Sequence, residues 1–251
     1  MVANGELVAY LNDYLAIRDI PDYKEAYNGL QVEGRSEVKR VAVAVDACLY
    51  TIEQALAAEA DLLLVHHGLF WGAKAPITGA YYRRLALLLK NDLALYSCHL
   101  PLDAHPEVGN NVVLARMLGL EPEGRFAEFE GVPLGVWATT QVSRESFAER
   151  VGQVLNVSPL VIATGLETIS RVGIITGGGG SYISHAAKLG LDTLLTGEGA
   201  HHTYFDAEEL GINVLYAGHY ATETVGVRAL GEHLHARFGL DWVWIDHPTG
   251  L

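Results

Sequence analysis

Cysteine is scarce here: Cys48 and Cys98 are the only two among 251 residues. They form no CxxC pair, so neither a zinc knuckle nor a disulfide framework is expected. Each lies in an apolar stretch that reads as the end of a strand, so both are expected to be small buried residues. Cys98 precedes His99, which leaves a site-lining role open. Basic runs are also missing. The 17 Lys and Arg are scattered against 30 Asp and Glu, for a net charge of −13, whereas a duplex nucleic-acid binder shows a basic patch. No nucleic-acid partner is expected unless bound metal supplies the anion contacts. No stretch of about 18 uncharged apolar residues occurs, so no membrane-spanning helix is expected. The opening MVANGELVAYLNDYL has neither a basic segment nor a long apolar run. That is unlike a signal peptide, and a cytoplasmic location is expected.

What is present is half hydrophobic and one-fifth charged, the composition of a chain with a packed core rather than a disordered one. Its organisation is a repeat. VAVAVDACLYTIEQALAAEADLLLVHH (41–67) and VGIITGGGGSYISHAAKLGLDTLLTGE (172–198) each run strand, small-residue turn, helix, strand. LALYSCHLPLD (93–103) then matches NVLYAGHYATE (213–223), and ARMLGL (115–120) matches HARFGL (235–240). His67 thus pairs with Glu198, His99 with His219, and Asp103 with Glu223.

Apolar runs separated by helical stretches at this spacing predict an α/β fold with two similar halves, each β-α-β-α-β-α, and mostly parallel sheets. The halves are placed at 1–125 and 126–251. The linking segment 121–168 reads as strands around a helix at SRESFAERVGQVL, capped by Ser143. WVWID (242–246) reads as a final strand that can join either half.

Ligands collect at the C-terminal ends of strands in open α/β sheets. His66 and His67 follow LLLV, Asp103 lies just beyond LALYS, and His219 and Glu223 follow NVLYA. Adjacent histidine side chains diverge, so each can serve a different ion. A carboxylate can bridge two ions roughly 3.5–4 Å apart. If a helix opens at Tyr220, His219 and Glu223 share one face. LPLDAHPE, with two prolines, reads as a loop. These five residues are the candidate ligands of a pair of divalent ions. A mixed N/O set suits Zn, Fe, Mn, Ni or Co without choosing among them. His99 is a ligand, a supporting partner or an acid/base. Glu198 and His202 are lining candidates, and His99 and Glu198 are the catalytic candidates. His105, His185, His233, His235 and His247 are expected to be structural or on the surface. Gly177, Gly178, Gly179 and Gly180 precede a helix predicted near Tyr182. They serve either a phosphate at its N-terminus or a tight turn with close packing.

LLVHHGLFW, SCHLPLDAHPEVGNN, TGGGGS, TGEGAHH and AGHYATE, together with NGLQVEG (28–34), resemble the Nif-three-like dinuclear metal centre family over nearly the whole chain. Members of that family are often labelled GTP cyclohydrolase I type 2 homologues. The resemblance implies a two-part α/β fold with a dinuclear site between the halves, held by His66, His67, Asp103, His219 and a bridging Glu223. It also implies a toroidal homohexamer, with this chain as the compact form. The function so implied is a metal-dependent hydrolase acting on a small molecule such as a nucleotide, GTP if the label holds. The competing reading is a non-catalytic metal-handling or regulatory scaffold.

Overall fold

A computed structural model describes residues 1–71 and 76–251. The chain divides into two compact units. The first comprises Met1–Val108 and Gly226–His247, and the second Gly109–Val225 and Pro248–Leu251. The division therefore falls ahead of residue 125, where the sequence placed it. The later turns of the last helix return the chain to the first unit.

The first unit contains β1 (Val2–Ala3), α1 (Asn4–Tyr14), β2 (Gly29–Val32), β3 (Glu37–Val38), β4 (Arg40–Asp46), α2 (Leu49–Ala57), β5 (Leu62–His67), α3 (Gly79–Lys90), β6 (Ala94–Ser97) and α4 (Leu100–Asp103). The second contains α5 (Asn110–Met117), β7 (Gly124–Phe129), β8 (Val132–Ser143), α6 (Arg144–Leu155), β9 (Leu160–Ile162), β10 (Thr168–Ile175), α7 (Ile183–Lys188), β11 (Thr193–Thr196), α8 (Thr203–Leu210) and β12 (Asn213–Tyr216). Helix α9 (His219–Phe238) begins in the second unit and ends in the first, where β13 (Asp241–Trp244) follows.

The first unit's five-stranded sheet has the order β13-β4-β5-β6-β2, and a separate antiparallel pair joins β1 to β3. Strands β13, β4, β5 and β6 are parallel, and β2 closes the edge antiparallel to β6. The run VAVAV is apolar at every position because both faces of its strand are covered. Val41 and Val43 pack with Leu62, Leu64 and Tyr96, beneath Leu7 and Leu11 of α1 and Leu230 and Leu234 of α9. Ala42 and Ala44 turn the other way, toward Ile52 of α2 and Leu88 of α3.

The second unit's sheet has the order β7-β8-β10-β11-β12-β9. Its parallel core is β10-β11-β12, and β8 and β9 lie antiparallel on either side. Val172, Ile174, Leu195 and Leu215 pack under Phe147 and Val151 of α6 and Leu114 and Ala115 of α5. Ser143 caps α6 as expected, its hydroxyl accepting from the Ser146 amide at 3.1 Å.

The repeat is visible in strand pairing. Val41 lies opposite Leu62, and Val172 opposite Thr193, at the same places in the two copies. Each copy also begins with the same clamp. One oxygen of Asp61 accepts from the amides of Lys39 and Arg40 at 2.8 and 3.2 Å, and one of Asp192 from those of Ser170 and Arg171 at 2.8 and 3.0 Å. These carboxylates occupy amides at the start of β4 and at the irregularity between Ile169 and Arg171 in β10, which would otherwise lack a ladder partner. The final strand pairs parallel with β4, which settles WVWID into the first unit.

Candidate metal centre

Strand geometry places the first unit's histidines. His66 and His67 end β5 and so alternate across the pleat. His99 immediately follows the strand end at Ser97–Cys98, and Asp103 ends α4. The segment LPLDAHPE is thus helical at its start rather than a loop. Pro101 sits in the first turn, where its missing N–H costs nothing. The buried carboxylate of Asp103 lies 3.6 Å from His66 Nε2.

Each imidazole is held by its other nitrogen. His66 Nδ1 donates to the Cys98 carbonyl at 2.9 Å. A carbonyl only accepts, so Nδ1 of this fully buried ring carries a proton, and the Nε2 side faces Asp103. His67 Nδ1 lies 2.8 Å from an Asp46 oxygen, and His99 Nδ1 lies 2.9 Å from Asp22. Burial pushes the Asp22 carboxyl up in pKa. Its bonds from His99, from Asn28 at 2.8 Å and from the Leu100 amide at 3.0 Å outweigh this and hold it below its ordinary value. Asn28 also accepts from the His99 amide at 2.7 Å, fixing both ring and backbone. Ligand atoms of His66, His67 and His99 all lie within 4.8 Å of one another. Three imidazoles that close, with their Nδ1 sides tied back, are the donor chemistry of a divalent transition metal.

The glycine of the HHG element has a steric reason. A Cβ on Gly68 would collide with the side chain of Gln31. Gln31 Oε1 accepts from the amides of Leu69 and Phe70 at 2.7 and 3.2 Å and so pins the chain leaving His67. Burial raises the Cys98 thiol well above its ordinary pKa, which leaves its carbonyl as the functional atom.

The second unit holds a smaller donor group. Helix α9 opens at His219, so His219 and Glu223 share a face as the spacing predicted, with Nε2 3.2 Å from Glu223 Oε1. On the other side, His219 Nδ1 lies 2.9 Å from Glu198 Oε1, just past β11. The Glu223 carboxylate, opposed by burial and reinforced by Glu198, holds the His219 pKa up at about 9 in the metal-free protein. Glu198 is therefore placed to orient His219.

The glycine run lies under this pair. Gly177 has φ +65° and takes the left-handed conformation at no Cβ cost, and a Cβ there would strike Glu223. Its amide donates to Thr222 Oγ1, that of Gly179 to Thr196 Oγ1 and that of Gly180 to the Glu198 carbonyl, each at 3.0 Å. Three of the four amides are spent within the unit. After a turn of 3₁₀ helix at Gly179–Tyr182, α7 has only six residues. These contacts support the close-packing reading of Gly177, Gly179 and Gly180.

The other histidines have local partners. His105 Nε2 lies 3.0 Å from the Tyr14 carbonyl, and His233 Nε2 lies 2.6 Å from the Tyr10 hydroxyl. His235 bonds the Leu240 carbonyl at 2.8 Å, His247 stacks on Tyr50, and His185 meets Tyr182 edge-on. His201 and His202 are exposed in the turn before α8. Asp22, Asn28, Gln31 and Asp46 were not among the sequence candidates. Asp46 had one readable signal, as the acid that ends VAVAVD opposite His67 in the sheet.

Two α/β units carry histidine and carboxylate groups at their strand ends whose atoms could hold a metal ion. The chain belongs to the Duf34/NIF3 family (NGG1p interacting factor 3), whose model matches residues 2–249. A GTP cyclohydrolase 1 type 2 homolog of Deinococcus radiodurans is 44% identical, over 100% of this chain and 95% of its own length. A second protein so named, from Pyrococcus abyssi, is also 44% identical, over 98% of each. Among solved structures, the protein ybgI, described as of unknown function, superposes with a TM-score of 0.93 at 40% identity over 100% of both chains. Reduced HcgD from Methanocaldococcus jannaschii does so with a TM-score of 0.85 at 28% identity over 98% of both. Among the described residues, no helix is long and apolar enough to cross a membrane.

Proposed function

We propose that the protein is a metal-dependent hydrolase with two divalent ions per chain, held by His66, His67, Asp103, His219 and Glu223. One observation carries this reading: the ligand atoms of His66 and His67 lie within 4.8 Å of each other, each ring's Nδ1 is held by a carbonyl or carboxylate, and the Asp103 carboxylate lies 3.6 Å from His66 Nε2. The donor set of the second unit, His219 with a buried Glu223, is of the same chemistry.

When bound, a pair of such ions lowers the pKa of a coordinated water and polarises the group under attack. The chain's own residues do the rest. Asp46 and Asp22 orient His67 and His99, and Glu198 orients His219. His99 stands outside the five-residue ligand set with Nε2 turned away from Asp22, placed to take a proton from water and return it to a leaving group. The name carried by the relatives brings GTP to this chain as the substrate to test, with opening of the imidazole ring and release of formate. The resemblance likewise brings a homohexamer, for which light scattering should give six chain masses.

The test is metal analysis of wild type and a His66→Ala/His67→Ala variant. About two ions per chain, lost in the variant, is the expected result. A folded wild type that stays metal-free after reconstitution would sink the proposal. Stoichiometric metal without turnover of GTP or other phosphoesters would favour the metal-handling reading.

A further inference from the structure

Two short segments of the first unit place aromatic side chains beside the donor histidines. Tyr23, Tyr27 and Trp71 are 49%, 58% and 46% exposed. The Trp71 ring centroid lies 4.7 Å from that of His99 and 6.1 Å from that of His67, nearly perpendicular to both at 81° and 86°. The indole therefore stacks on neither imidazole. Tyr23 lies 6.0 Å from His99 and 6.4 Å from Trp71. The backbone under these rings is fixed. Ala26 bridges to Trp71, the Tyr27 amide donates to the Phe70 carbonyl at 3.2 Å, and the Gln31 side chain ties Leu69, Phe70 and Tyr27 together. The Tyr23 amide is held by Asp22, the same carboxylate that holds His99.

Isolated exposed aromatics need no explanation, but a rigid group of them bordering polar donors does. Rings left half in water beside a coordinating cluster suit a ligand that offers a π face to stack and a ring nitrogen or oxygen to coordinate. From this geometry we infer that Tyr23 and Trp71 form a stacking wall for a flat nitrogen heterocycle, so that the substrate is recognised through its ring. This rests on the metal-centre reading and adds the side chains that recognise the substrate's ring.

The probe is guanosine, with ribose and inorganic phosphate as controls, added to metal-reconstituted and to chelator-treated protein. Saturation-transfer NMR on wild type reads guanosine and ribose without any variant, and phosphorus-31 line broadening reads inorganic phosphate. Guanosine should bind both forms, with its base proton receiving the strongest transfer, and neither control should bind the chelator-treated form. Trp71→Ala and Tyr23→Ala should each weaken guanosine roughly tenfold or more, as loss of one stacking partner does, whereas Trp71→Phe should stay within about threefold. Absence of guanosine binding in a protein with its full metal content would overturn this inference and leave the metal reading standing. Guanosine binding that persists when no metal can be loaded would do the reverse. Unchanged affinity in both alanine variants would also overturn it. So would a fall in oligomeric mass in Trp71→Ala, which would assign these rings to a contact between copies.

Discussion

An imidazole offers a metal whichever nitrogen its surroundings leave over, so the residues behind the histidines set the site as firmly as the histidines themselves. Asp46 holds His67 and Asp22 holds His99. Asp46→Ala should therefore weaken metal binding about 10–100-fold in competition with a chromophoric chelator, whereas Asp22→Ala should leave metal affinity near wild type and lower turnover. His105→Ala is the control. Its ring accepts from the amides of Glu107 and Val108, so stability should fall by about 1–3 kcal/mol in urea melts while metal content stays at wild type. His219 gives a pH prediction. Its pKa rises from the ordinary 6.5 to about 9 in the folded, metal-free chain, chiefly through Glu223. The stability this pairing contributes is fully present below the unfolded value and is lost as pH rises through about 9. A metal takes the deprotonated ring, so loading at pH 7.5 should expel the His219 proton, and by pH 10 that release should vanish. Calorimetry in buffers of differing ionisation heat reads it, and pH-independent release would contradict the assignment.

The elements were legible where pattern and local chemistry agree. The doubled strand-helix-strand segments stand out because β4, β5 and β6, like β10, β11 and β12, are apolar at consecutive positions, and Ser143 announces its helix. The HxxxE spacing of His219 and Glu223 becomes one helical face. What was not legible is set by tertiary contact. Two prolines hide the turn at Leu100–Asp103, because Pro101 in a first turn and proline in a loop look alike in sequence. Asp22 and Asn28 lie some 70 residues before His99, and no spacing connects them. The glycine run was ambiguous for the same reason, since only the fold shows where its amides go. Gly177→Ala makes this testable. It combines a left-handed φ with a collision against Glu223, so it should lower both stability, by about 1 kcal/mol or more, and metal affinity. Gly211 has the same φ of +65° and nothing near a Cβ, so Gly211→Ala should cost similar backbone strain and leave metal affinity alone. Equal metal affinities in the two variants would show that Gly177 does not shape the donor group.

At the scale of the whole molecule, the chain leaves its first unit after Val108 and comes back at Gly226. The return is what completes that unit's core, because Val227, Leu230 and Leu234 of α9 are fully buried there and β13 pairs with β4. Without β13, β4 would be an open edge carrying an uninterrupted apolar run, a template for aggregation. The fit between the two returning elements is close. Gly231 sits inside α9, where glycine ordinarily costs about 1 kcal/mol relative to alanine. A Cβ there would come within 2.7 Å of the Trp242 ring, part of the layer packed against the core. Helix propensity and packing therefore make opposite predictions for Gly231→Ala. If the seating of β13 dominates, the variant unfolds at lower urea, and amides of β4 and β13 exchange faster while those of β10–β12 do not. A stabilised variant would mean that α9 and β13 can part slightly at no cost, and that the unit is closed by the helix alone.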